Sequence, residues 1–308
     1  MKRKLAIFGI LLIFIAGVGV MSYPLVSSVI NNIDSRNHVE EYTNTTKQMS
    51  SKETLDMFKQ AEKYNHSLTN NVIITDPFDE KAYKKIGANY ENALNVDGNG
   101  LIGYIDIPKI NVYLPIYHGT AEDILSKGAG HLQNTSLPVG GESTNSVISA
   151  HTAYPGETFF DYLTDMKEGD EFYVHVLDRV LKYEVDSVKV VLPEETDDLR
   201  VVKGKDYVTL LTCTPYSVNT HRLLVRGKRV EYDDSKYITT GASAASFGNE
   251  GIFFLGYKVP YWAATLIIVG FVAIVVIIVI ICLKRSKKKK RYADKNKDED
   301  ITETQDGD

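Results

Sequence analysis

Two long apolar runs frame the chain. Leu5–Ser22 carries no charge and follows the basic start Met1-Lys-Arg-Lys4, and the next charged residue is Asp34. A basic start ahead of an apolar run describes a signal segment, either cleaved or retained as an anchor. No clear small-x-small cleavage pattern precedes Tyr23-Pro24, which favours an anchor. The second run, Val259–Leu283, is uncharged, rich in Ile and Val, and long enough to cross a bilayer with some tilt. Tyr257, Tyr261 and Trp262 stand at its entry, where an aromatic belt lies, and the basic block Lys284–Arg291 stands at its exit. Basic flanks stay on the cytoplasmic side, so both termini are expected inside and residues 32–258 outside.

Between these runs the pattern changes from helical to strand-like. In Asp34–Asn70, Leu55, Phe58, Ala61 and Leu68 share one helical face among charges, which predicts two helices with a break near Ser50-Ser51. Thr75-Asp76-Pro77 is a turn signal, because Asp bonds its own backbone and Pro presets φ. A further short helix is predicted over Lys81–Asn95, ending before the turn residues Asp97-Gly-Asn-Gly100. From Leu101 onward short strands recur: Leu101–Ile107, Val112–Tyr117, Ser146–Ala150, Glu171–Leu177, Leu181–Val191, Tyr207–Thr212 and Arg222–Val230. Many short strands punctuated by Gly, Pro and Asp argue for a closed antiparallel barrel or a sandwich. The expected organisation is an N-terminal anchor (1–31), a helical segment (32–97), a mainly β domain (98–232), a Ser/Ala/Gly-rich tether (233–258), a membrane helix (259–283) and a short polar tail (284–308).

Charge and cysteine usage narrow the function. The whole chain has a formal net charge of −5, and residues 32–258 are more acidic still, so a nucleic-acid partner is not expected. The basic block could touch anionic lipid, but a stop-transfer anchor already accounts for it. Of the two cysteines, Cys213 lies in the outward part and Cys282 at the far end of the second run, so they cannot pair. A lone thiol in an oxidising compartment makes most sense if the thiol itself is used.

The segment Tyr207–Arg226 reads as strand, loop, strand, with turn residues in Thr214–Asn219. Such a hairpin brings Cys213 and Arg222 together at the mouth of its loop. A cation beside a thiol favours the reactive thiolate, although a small buried hydrophobe beside a surface Arg has the same pattern. A thiol nucleophile needs a proton partner, most often His, and the chain has seven. His38 and His66 lie in polar helical sequence, His175 inside a strand, and His118, His131 and His221 near loops. His151 follows the core-type strand Ser146–Ala150 and opens the loop Thr152–Gly156, which places it on a rim. His151 and Cys213 would share a proton while Arg222 holds an oxyanion or the substrate backbone. No second Cys, His-x-x-His or acidic loop accompanies them, so neither a metal nor a cofactor is expected.

These residues resemble the sortase family. Thr209-Leu-Leu-Thr-Cys213 with Arg222 nine residues on is similar to its Cys–Arg signature, and Ser149-Ala-His-Thr152 to the segment bearing its His. Gly103–Pro108 through Leu114–Thr120 resembles its first strands. The resemblance implies a closed eight-stranded β-barrel and a membrane-held cysteine transpeptidase of Gram-positive surfaces, with Cys213 as nucleophile, His151 as acid/base and Arg222 as stabiliser. Its substrates would be proteins with a C-terminal Leu-Pro-x-Thr-Gly-like sorting signal. A membrane segment at each end, with Asp76-Pro77-Phe78 ahead of the barrel, resembles the pilin-polymerising class C. By that likeness Asp76 would pair with Arg222 and Phe78 would cover Cys213 as a lid. An exposed ion pair is worth only about 0–1 kcal/mol, so such a lid would open readily. Two alternatives stay open: a sortase that attaches surface proteins to cell-wall peptide, and a non-enzymatic membrane-tethered surface module.

Overall fold

The computed structural model describes residues 2–68, 74–79, 88–233, 251–254 and 257–260, and isolated residues between 263 and 284. Residues 1–247 and 248–308 form two separate units. In the first, β1 (Leu101–Ile107), β2 (Val112–His118), β3 (Ala129–His131), β4 (Thr144–Ser149), β5 (Glu171–Val176), β6 (Arg179–Val191), β7 (Asp206–Thr214) and β8 (His221–Val230) are the strands. They close into one barrel in the order β1-β2-β3-β4-β7-β8-β6-β5, the eight-stranded architecture expected from the resemblance. The β2–β3 and β4–β7 pairs are parallel and the others antiparallel. Seven of these strands carry a pattern legible in sequence. The three-residue β3 does not, because it is too short to show a period of two.

The side-chain alternation of β6 shows why the barrel forms. Leu181, Tyr183 and Val185 point into the interior while Lys182, Glu184 and Asp186 lie between them on the outer face. By contrast β4 is buried along its whole length, and β7 along all but its end residues. Their inner face supplies Ile148, Val208 and Leu210 to the barrel core. Their outer face supplies Val147 and Leu211 to a second cluster with Leu132, Leu199 and Leu224. Ile74, Phe78 and Val191 pack on that cluster, so the segment around Asp76 covers this outer face. Gly103 is required by a close approach of β1 to β5, since a Cβ there would run into the His175 carbonyl oxygen.

Helix α1 runs from Lys2 to Gln48 and α2 from Ser51 to Ser67. The break falls where the sequence predicts it. Ser50 caps α2 by accepting the Glu53 N–H, while the Glu53 carboxylate accepts the Ser50 N–H, a reciprocal capping box. The later part of α1 docks on the barrel through Tyr42, whose hydroxyl donates to Ile102 O (2.7 Å) and accepts the Leu177 N–H (2.8 Å). Helix α2 buries Phe58 and Ala61 in the main core, and Arg179 lies over the Phe58 ring. At its C-terminal end, Asn65 accepts the Leu137 N–H (2.7 Å) and donates to Leu137 O (3.1 Å). Asn65→Ala removes both bonds and strands one backbone amide, so a loss of about 2 kcal/mol is expected in urea unfolding. An unchanged midpoint would show that water replaces both partners.

Several expectations change. Among the described residues no helix is long and apolar enough to cross a membrane, so the two flanking spans are not supported by the fold. Leu5–Ser22 belongs to α1, which continues unbroken from that stretch into the polar residues that dock on the barrel. Most of Val259–Leu283 lies outside the described residues. In the second unit β9 (Gly251–Phe254) and β10 (Tyr257–Pro260) form an antiparallel pair. That pair takes Val259 and Pro260 into a strand where a helix was expected, Pro260 standing at the strand's end. Of the helix predicted over Lys81–Asn95, residues 81–87 lie outside the described part; α3 covers Ala88–Glu91. Most of the expected tether, residues 234–250, also lies outside it.

Candidate active site

Cys213 and Arg222 are directly opposed partners on β7 and β8, at the end where the two strands join. Side chains in β-strands alternate, so Cys213 shares the outer face with Leu211, and Arg222 shares it with Leu224. Both residues are buried. Asp76, 146 positions away, clasps Arg222 with two hydrogen bonds: Nε donates to Oδ1 (2.8 Å) and Nη2 to Oδ2 (2.5 Å). The remaining donor, Nη1, is taken by the carbonyls of Asn219 and His221 at 3.0 Å each. Asp76 opens a turn closed by the Asp79 N–H on its carbonyl (3.2 Å), which turns Phe78 toward the barrel. The Phe78 ring lies 5.2 Å from Arg222 Cζ and 5.4 Å from the His151 ring centre.

The ion pair departs from the weak, exposed contact expected of a lid. The two side chains are only 10% and 12% accessible. A bidentate pair with little solvent around it is screened far less than a surface pair, and stranding either partner costs several kcal/mol.

The thiol also departs from expectation. Burial pushes Cys213 up to about 11; Arg222 pulls it down, and the Asp76 carboxylate pushes it up again. The desolvation cost of a thiolate exceeds the attraction of a cation already neutralised by a carboxylate. Burial alone would lower the pKa of Arg222, but the Asp76 carboxylate and the Cys213 sulfur raise it, so it stays charged throughout. With Asp76 and Phe78 in place, Cys213 is held as the protonated thiol.

His151 lies just past the end of β4, on the rim. Its Nε2 is hydrogen-bonded to Glu122 Oε2 at 3.1 Å and not to Cys213. Glu122 opens α4 (Glu122–Leu125) in the β2–β3 connection. Tyr154 stacks on the imidazole, 5.1 Å between centres and 19° between planes. The loop around it is closed by the Phe160 N–H on His151 O (3.0 Å) and by the Ala153 N–H on Asp161 Oδ1 (2.8 Å). The fold thus brings together Cys213, Arg222, Asp76, Phe78 and His151, with Phe78 against both His151 and Arg222. Glu122, Tyr154 and Asp161 carry no sequence signal. Glu122 sits in an ordinary polar stretch, and its role depends on the parallel pairing of β2 with β3.

Three other histidines serve the scaffold. His131 is fully buried; its Nε2 donates to Ser136 O (2.8 Å) and its Nδ1 meets the Tyr90 hydroxyl (2.6 Å). Burial lowers it to about 3. His175 stacks on Tyr104 and is lowered to about 4 by burial. His118 bridges Gly100 O and Ala93 O. No cluster of three or more His, Cys, Asp or Glu able to hold a metal occurs among the described residues.

Comparison with known proteins follows the same lines. Residues 105–230 match the sortase domain family. Sortase D of Bacillus subtilis (strain 168) is 32% identical over 131 residues, 42% of this chain and 63% of that protein. The chain therefore spans slightly less than two thirds of that curated relative. Among solved structures, sortase C-1 from Streptococcus pneumoniae is 47% identical with a TM-score of 0.60, covering 64% of this chain and 100% of that one. The pilus-related sortase C of Group B Streptococcus is 46% identical with a TM-score of 0.58, covering 63% and 97%. A closed eight-stranded barrel, a buried Cys–Arg pair at a strand end and this likeness lead to one conclusion: the chain belongs to the sortase family, and its structural relatives place it with class C.

Proposed function

We propose that the protein is a cysteine transpeptidase that joins pilin subunits. The observation that carries this reading is the register pairing Cys213 with Arg222, with Asp76 clasping Arg222 and Phe78 reaching from Arg222 to His151. Likeness to a pilus-related sortase C supports pilins as the substrate class.

The cycle begins with Asp76 and Phe78 withdrawn. Water and substrate then reach Cys213, the carboxylate leaves Arg222, and the two influences that raise the thiol are both removed. His151 accepts the thiol proton as sulfur attacks the Thr carbonyl of a Leu-Pro-x-Thr-Gly-like signal. Arg222, its Nε and Nη2 released by the carboxylate, donates to the oxyanion that forms. Collapse breaks the Thr–Gly bond, and the imidazolium returns its proton to the departing Gly amine. That leaves a thioester on Cys213. A Lys amine of the next subunit attacks it and gives its proton to His151, and the departing thiolate takes that proton back, restoring the thiol and the neutral imidazole. Atoms and protons balance with no cofactor. The apolar ends of the sequence and their basic flanks support attachment at a membrane, with the barrel on the outer side.

The test couples chemistry to cells. Purified protein incubated with a sorting-signal peptide is expected to gain the mass of the acyl group on Cys213. Deletion of the gene is expected to remove the high-molecular-weight pilin ladder from cell-wall extracts. An intact ladder with shed monomeric surface proteins would overturn the pilin reading in favour of cell-wall anchoring.

A further inference from the structure

We propose that Glu122 is a positioning residue for His151, holding the imidazole in the tautomer and orientation that the reaction requires. The inference rests on the reading of His151 as the proton carrier. Its first support is the hydrogen bond between Glu122 Oε2 and His151 Nε2. A carboxylate only accepts, so Nε2 carries the hydrogen, and in the neutral ring Nδ1 keeps the lone pair. One nitrogen is engaged by the scaffold and the other is left for proton exchange with Cys213 and substrate.

The second support is the way the ring is held. Tyr154 stacks on the imidazole and Phe78 lies against it at a tilt of 38°. Stacking restrains the plane of the ring but not its rotation within that plane; Glu122 supplies the missing restraint. Phe78 belongs to the segment that must withdraw, whereas Glu122 and Tyr154 belong to barrel connections. Glu122 is fixed from beneath: Leu125 is buried, and the Ile124 and Leu125 N–H groups both bond Ala121 O. The restraint therefore persists when Phe78 leaves.

The third support is charge. Glu122 on α4 is hydrogen-bonded to His151, Tyr154 stacks on it, and Phe78 lies against both it and Arg222. With Asp76 in place, Arg222 is neutralised. Once Asp76 withdraws, the Arg222 guanidinium loses its carboxylate at the stage when the His151 ring must become an imidazolium. Glu122 is then the carboxylate in contact with that ring. Its side chain is 55% accessible, so the effect is moderate compared with a buried triad carboxylate.

Glu122→Ala and Glu122→Gln are compared with the wild type, using a sorting-signal peptide and an amine acceptor. Because general acid–base catalysis is worth about 10²–10⁴-fold and His151 itself remains, kcat is expected to fall about tenfold in Glu122→Ala with KM within about twofold. Glu122→Asp restores part of kcat. Independently of turnover, ¹⁵N NMR of the His151 ring in Cys213→Ala protein is expected to show the Nε2–H tautomer, and a mixture once Glu122→Ala is added. Unchanged kcat, or an unchanged tautomer, overturns the proposal. Absence of turnover in the wild type would instead overturn the proposed function and leave the NMR result to decide the role of Glu122.

Discussion

Cys213→Ala is expected to abolish acyl-enzyme formation and transfer, leaving no mass adduct with a sorting-signal peptide at any time. The expectation is loss rather than slowing because the thioester has no second place to form. Cys213 is the lone cysteine of residues 32–258, and Thr212 on the same strand points to the opposite face, its hydroxyl donating to Ala150 O. Alanine fits the site, because the sulfur makes no hydrogen bond among the described residues whose loss would leave a buried group unpaired, so folding is retained. An unchanged thermal midpoint alongside zero adduct separates chemistry from collapse. Measurable turnover in Cys213→Ala would sink the transpeptidase reading altogether.

Replacing Asp76 and Phe78 together by alanine is expected to speed the reaction of Cys213 with a small thiol reagent at neutral pH by about tenfold or more. The sign follows from the thiol. Burial and the Asp76 carboxylate both raise it, to about 11, and both are lost when the cover is removed, while the pull of Arg222 is no longer offset. Below the pKa the thiolate fraction rises tenfold for each unit by which the pKa falls. A return to the ordinary range near 8.5 thus yields somewhat more than about 100-fold more thiolate. Nucleophilicity falls as the pKa falls, with a Brønsted slope of about 0.4–0.5, which cancels about half of that gain on a logarithmic scale. About tenfold remains, and easier access adds to it. The pH at which labelling reaches half its limiting rate moves down correspondingly. Single replacements separate the contributions: Asp76→Ala acts mainly on the pH midpoint, and Phe78→Ala mainly on access. Equal labelling rates with and without the double replacement would mean that this segment does not guard the thiol.

The Asp76–Arg222 clasp bears on the proposed role of that segment as a cover. With 10% and 12% accessibility the pair is screened far less than a surface ion pair. In the closed arrangement the nucleophile is protonated and its stabilising guanidinium is occupied. On the proposed mechanism either condition alone would slow the chemistry, and one displacement would relieve both. A substrate that offered its own polar backbone to Arg222 would compete directly with the Asp76 carboxylate.

Much of the scaffold is readable along the chain because it depends on local periodicity. Leu181, Tyr183 and Val185 alternate with charged residues, and that period of two is enough to mark β6. Ser50 with Glu53 marks the start of α2. The lone Cys213, the hairpin that faces it with Arg222, and His151 at a strand end follow from composition, turn chemistry and strand alternation. A resemblance in motif was needed to give the turn at Asp76 any meaning, since an Asp-Pro turn by itself is ordinary. What the chain could not disclose depends on burial and on partners distant in sequence. The direction in which Cys213 titrates reversed because desolvation, a property of the packed site, outweighs the neighbouring cation. The Asp76–Arg222 pair proved enclosed rather than exposed because Phe78 and Ile74 sit on the second core and exclude water around it. Glu122 reached His151 only through the parallel pairing of β2 and β3 that places α4 on the rim. Sequence determined the identities and the local conformations of the reacting groups; the tertiary structure decided their charge states and their partners, because desolvation and long-range contact exist only in the folded chain.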